Sequence, residues 1–128
     1  MSGGAEDDFV IRIGVYATEG DLARVVGGFR RLLDEGPEAY ELAVAADQGE
    51  LGELYEELPH QWRCQYPGAD PGERRVWEIR VGVRADRPPM NEVREALTRV
   101  VCADPGHASP CPVPWAAGYT AGRWDVSL

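Results

Sequence analysis

Residues 74–85 (RRVWEIRVGVRA) alternate strictly: Trp77, Ile79, Val81 and Val83 fall on one side, and Glu78, Arg80 and Arg84 on the other. Successive side chains of a strand point to opposite faces, so this segment belongs to a sheet packed on one face and polar on the other. A three-layer α/β sheet would bury this strand on both faces and call for a near-continuous apolar run. The three charges argue against that arrangement.

The remaining periodicities fill in the order of elements. Residues 9–17 (FVIRIGVYA) alternate as a first strand, with Phe9, Ile11, Ile13 and Val15 on one face and Val10, Arg12 and Tyr16 on the other. Thr18 followed by Asp21 resembles a capping box, and Leu22, Val25, Val26, Phe29, Leu32 and Leu33 then recur at helical spacing until Gly36-Pro37. Residues 40–46 (YELAVAA) read as a second strand. Asp47 can cap a short helix carrying Leu51, Leu54, Tyr55 and Leu58, and 59–72 reads as irregular. After the 74–85 strand, Pro88-Pro89 precedes a helix over about 90–102, a rigid loop over 104–112, and a last strand over 113–120 that Pro114 confines to an edge. Gly27 and Gly28 lie inside the first helix, where they permit close packing.

This β-α-β-(short α)-β-α-β order predicts a ferredoxin-like α+β fold: an antiparallel four-stranded sheet of order 4-1-3-2, two long helices on one face and an extra short helix after the second strand. The expected organisation is a disordered acidic segment over 1–8, one domain over 9–120 and a tail over 121–128.

A net charge of −9 repels phosphate backbones and anionic lipid, which sets aside nucleic acid and membranes as partners. All 13 basic residues are arginine, so Schiff-base and P-loop lysine chemistry is excluded; the bias itself reads as that of a GC-rich bacterial genome. The amino terminus has neither the basic start nor the apolar stretch of a secretory signal, and no apolar run is long enough to span a bilayer, giving a cytoplasmic expectation with reduced thiols. Dinucleotide, Walker A, nucleophile-elbow and H-E-x-x-H motifs are all absent.

All three cysteines and both histidines fall in two clusters, His60/Cys64 and Cys102/His107/Cys111. Zinc takes Cys and His ligands in pairs from separate turns, and these five residues supply them, but the spacing matches no specific zinc signature. Cys102 ends an apolar helical stripe, which packing explains; no cofactor is expected, with zinc as the alternative. For thiol chemistry Cys111 is the candidate nucleophile, with His107 four residues away to lower its pKa or act as base. A Cys102–Cys111 disulfide is disfavoured by a reducing compartment. Both clusters are expected at one end of the sheet, beside Trp62 and Trp115.

Arg12, Tyr16, Arg80 and Arg84 are expected on the sheet face away from the helices. There the arginines form solvated cross-strand pairs with Glu78 or Glu41, or a contact surface for a second copy or a protein partner, or the floor of an anion-binding groove. Trp62, Tyr66, Trp115, Tyr119 and Trp124 make an aromatic end that serves as a pocket or as a cap on the core. The resulting expectation is a small accessory or interaction protein, a homodimer or part of an assembly, acting through its open sheet face and aromatic end. A small enzyme or metabolite-binding protein using the Cys/His end is the alternative.

Overall fold

The computed structural model describes residues 7–36, 40–46, 50–85, 87–102 and 113–121. Its elements run β1 (Asp7–Ala17), α1 (Glu19–Asp34), β2 (Tyr40–Ala46), α2 (Glu50–Leu54), α3 (Glu57–Gln65), β3 (Arg75–Ala85), α4 (Arg87–Val101) and β4 (Trp115–Ala121). The strands form one antiparallel sheet of order β2-β3-β1-β4, giving an α+β architecture. Of the segment expected to be disordered over 1–8, Asp7 and Asp8 open β1; the expectations for 1–6, for the loop over 104–112 and for the tail from 122 lie outside the described residues.

Thr18 starts α1 as expected: its Oγ1 accepts from the Asp21 N–H, satisfying one of the helix's orphan donors. The apolar stripe of α1 then places Val25, Phe29 and Leu33 against the sheet, beside Met90, Leu97 and Val101 of α4. Under both helices lie Phe9, Ile11, Ile13 and Val15 of β1 with Ile79, Val81 and Val83 of β3. The two helices meet where Gly28 faces Val100; a Cβ at Gly28 would sit 2.6 Å from Val100 Cγ1. The glycine pair therefore serves packing, through its second member, while Gly27 faces open space.

Two helical starts differ from the sequence expectation for one reason. Helix α3 runs through Pro59 into the segment read as irregular, and α4 begins at Arg87, before Pro88-Pro89. In both cases proline occupies the first turn, where the backbone N–H has no intrahelical partner to lose.

The larger correction concerns the second face of the sheet. It is not open at its centre: α2 and α3, which connect β2 to β3, cross it and bury Leu51, Leu58 and Trp62 against Tyr16 and Val76. Strand β3 is thus buried on both faces around Glu78, which is 0% exposed. Alternation correctly assigned each residue to its face. It did not reveal that the polar face acquires its own cover.

Candidate functional site

The cover is held down at one point. Across the second face, Ala45, Glu78, Gly14 and Ala116 lie side by side on β2, β3, β1 and β4, so Glu78 is flanked by small residues. The ring of Tyr55, at the turn between α2 and α3, occupies that space above Gly14; a Cβ there would lie 2.4 Å from Tyr55 Cε1. Its hydroxyl donates to Glu78 Oε2 at 2.6 Å. A glycine inside a strand marks such a close approach, a signal in the sequence that the reading of the strands passed over.

Three donors converge on the Glu78 carboxylate. Arg12 donates through Nε to Oε2 and through Nη2 to Oε1, both at 3.0 Å, and Arg80 Nε donates to Oε1 at 2.5 Å. Arg12 and Arg80 stand directly opposite one another on β1 and β3, so the carboxylate bridges two like charges that would otherwise repel. Burial pushes the Glu78 pKa up, but the hydrogen bonds from Tyr55, Arg80 and Arg12 outweigh it and hold the group below the usual carboxylate range. Burial, reinforced by the bond to Glu78, raises the Tyr55 phenol well above its ordinary value and keeps it a neutral donor. Arg12 makes the expected cross-strand pair with Glu78, whereas Arg80 pairs with Glu78 along its own strand and is not solvated, its side chain being only 11% exposed.

A pH dependence follows. A carboxylate whose folded pKa lies below its unfolded value contributes stability that is complete above the ordinary Glu range and is lost as pH falls through the folded value. Acid unfolding monitored by tryptophan fluorescence should therefore show a limb below the Glu range, and Glu78→Gln should diminish that limb.

The other expected site residues are dispersed. Arg84 lies outside the cluster and pairs with Asp8 at 2.9 Å, an exposed cross-strand contact worth little. Trp62 is buried in the second-face core and packs edge-on to Tyr16, with the Arg74 guanidinium over its ring. Trp115 and Tyr119 pack on the other face with the main core, so among the described residues these two and Trp62 do not share one pocket. His60 and Cys64 sit one turn apart on the exposed side of α3, with Nε2 and Sγ 3.6 Å apart. Cys102 follows α4, on the opposite side of the sheet, buried and, against expectation, disulfide-bonded, which withdraws its sulfur as a thiolate ligand. His107 and Cys111 lie outside the described residues. Among the described residues no three His, Cys, Asp or Glu side chains gather as a metal-holding group.

What the second face does offer is a depression of about 260 Å³ between α2 and β4. It is lined by Leu54, Tyr55, Ala116, Gly118 and Thr120, and by Arg12, which stands opposite Gly118 on the neighbouring strand. Nothing stands within 4 Å of the position a Gly118 Cβ would take.

No family model matches the chain, and no curated protein matches its sequence. Solved structures do share its shape. The de novo designed protein Foldit4 superposes with a TM-score of 0.52 at 12% identity, over 91% of this chain and 100% of the designed one. A Staphylococcus aureus protein provisionally named an aminohydrolase gives 0.47 at 9% identity over 91% of this chain and 29% of its own, and a Galdieria sulphuraria protein of unknown role gives 0.41 at 14% identity over 94% and 53%. At 12% identity the likeness to the designed protein is one of fold alone.

Proposed function

We propose that the chain is a small ferredoxin-like interaction module that associates through the β4 edge, forming a homodimer by strand pairing. The fold assignment is supported by the β2-β3-β1-β4 order and by α1 and α4 lying in the two crossovers on one face. The interaction reading rests chiefly on the composition of β4. Its seven residues, WAAGYTA, carry no charge and no proline, in a protein of net charge −9. Edge strands that avoid pairing ordinarily carry such blocking residues.

The register supplies the bonding groups. The Tyr16 N–H donates to the Pro114 carbonyl at 3.1 Å, making Tyr16 and Pro114 a hydrogen-bonded pair. Bonded and non-bonded pairs alternate in an antiparallel ladder, so Ala117 and Tyr119 turn their N–H and C=O groups outward. No strand among the described residues pairs with that side. The small Ala116-Ala117-Gly118 centre lets a second backbone approach closely. This moves the expected contact from the sheet face, which α2 and α3 cover, to the margin of the sheet.

Ala117→Pro removes an outward N–H without touching the β1 ladder. In sedimentation velocity the wild-type chain should sediment as a dimer and Ala117→Pro as a monomer with unchanged circular dichroism. A wild-type chain that stays monomeric across the accessible concentration range would sink the proposal.

A further inference from the structure

The His60/Cys64 pair on α3 stands at the separation of two ligands on one metal ion, and we infer that it is half of a tetrahedral zinc site, completed by the same pair of a second copy. Zinc takes histidine nitrogen at about 2.0–2.1 Å and thiolate sulfur at about 2.3 Å, so neighbouring ligands of a tetrahedral ion stand about 3.5–3.6 Å apart. The Nε2 of His60 and the Sγ of Cys64 are 3.6 Å apart. The two residues are four apart on one helix, the spacing at which side chains meet on a common face. Their contact already orients both groups, so little side-chain freedom is lost when an ion seats against them. On binding, the Cys64 thiol gives up its proton to solvent and ligates as the thiolate.

The position of the pair leaves the rest of the coordination open. Leu58 and Trp62 form the buried side of α3. A helix turns about 100° per residue, which puts His60 and Cys64 on the side facing away from the sheet, and both are exposed. Cysteine is among the most buried residue types, and its reactivity more than its packing decides where it is kept. Cys64 is free and on the surface, so packing does not account for it. Glu56 and Glu57 precede His60 by one turn on the same side, in a chain of net charge −9, and such a field draws cations. No third His, Cys, Asp or Glu joins the pair among the described residues. Two ligands leave a tetrahedral ion with two places to fill, and a structural site fills all four from protein. A two-fold axis through the ion presents His60 and Cys64 again, giving two nitrogens and two sulfurs, a donor set that suits zinc. The buried side of α3 packs on Tyr16 of β1 and Val76 of β3, so the bridging side is separate from the outward edge of β4 and the inference stands without edge pairing.

Cobalt(II), which occupies tetrahedral zinc sites and absorbs in the visible, is the probe. It is added without oxygen to the Ala117→Pro chain, in which edge pairing cannot supply a dimer. The thiolate charge-transfer and tetrahedral ligand-field bands should grow and saturate at about one ion per two chains, and excess zinc should bleach them. In sedimentation velocity the same chain should be a monomer without metal and a dimer with zinc, reversed by a chelator. Cys64→Ser and His60→Ala, both exposed substitutions, should each lose the bands and the dimer with unchanged circular dichroism. The inference is overturned if no thiolate band appears, if the titration saturates at one ion per chain, or if the Cys64→Ser chain still dimerises with zinc. A failure of edge pairing shows separately, as a wild-type chain that is monomeric until zinc is added.

Discussion

Replacing Glu78 with alanine should cost about 3–5 kcal/mol, the range measured when one member of a buried ion pair is removed and its partner is left uncompensated. Here two arginines lose the acceptor they share. Arg12 and Arg80 stand directly opposite each other, and without the carboxylate they face one another across β1 and β3, under the cover of Tyr55. Against a total stability of about 5–15 kcal/mol for an ordinary domain, such a loss is a large share. Urea unfolding would show it as a lowered midpoint at unchanged slope. A loss below about 1 kcal/mol would mean that the arginines escape to solvent and that the cluster is not the anchor described above. Replacing all three charged residues by apolar ones of similar volume (Arg12→Met, Glu78→Leu, Arg80→Met) should be less harmful than Glu78→Ala alone, because no charge is then left buried.

The second large effect is expected at Gly14. A valine there places atoms inside the Tyr55 ring, and neither strand β1 nor its partners can retreat. Two costs add: about 1–3 kcal/mol for overpacking, and about 1–3 kcal/mol for the hydrogen bond Glu78 loses when the tyrosine is displaced. Because Tyr55 sits at the turn between α2 and α3, the displacement should loosen the whole cover. Hydrogen exchange should accelerate in 51–65 while β1 and β3 stay protected, a pattern of sub-global opening. Uniform destabilisation of all elements would contradict it. Gly14→Val combined with Tyr55→Ala should recover part of the loss, since the second change vacates the space.

The strands, the long helices and their faces were legible because each carries a clean period. Phe9, Ile11, Ile13 and Val15 alternate over one core, and Val25, Phe29 and Leu33 repeat at helical spacing. The second layer was harder to read. Its helices are short and its apolar residues few, and Leu51, Leu58 and Trp62 could be assigned to a helix without any indication of what it covered. Glu78, Arg12 and Arg80 each read as polar-face residues, and nothing in the alternation distinguishes solvated pairs from a contact surface or an anion-binding floor. What the structure adds is mutual: each charge is tolerable under Tyr55 only because the others are present. Only the position of Gly14 within a strand hinted at it.

The Cys/His clusters show the opposite case, a conspicuous composition that the fold divides. Placing His60 and Cys64 on α3 and Cys102 just past α4 sets them on different sides of the sheet, a separation that spacing along the chain does not reveal. The arginine-bearing face also holds a depression between α2 and β4. Its cavity is bounded by Leu54, Tyr55 and Gly118, none of which carries a chemical signature of its own.

The buried triad also has a consequence for how the strands find one another. Along β3, Glu78 is flanked by Trp77 and Ile79, whose side chains belong to the main core. Sliding β3 by a single residue would swing the carboxylate into that aliphatic layer and leave Arg12 without its acceptor. Slippage by two would keep the faces but bring Val76 or Arg80 opposite Gly14, where only Glu78 can receive the tyrosine hydroxyl. The three charges therefore act as an address, telling the central pair of strands which of several hydrophobically acceptable alignments is the one to keep.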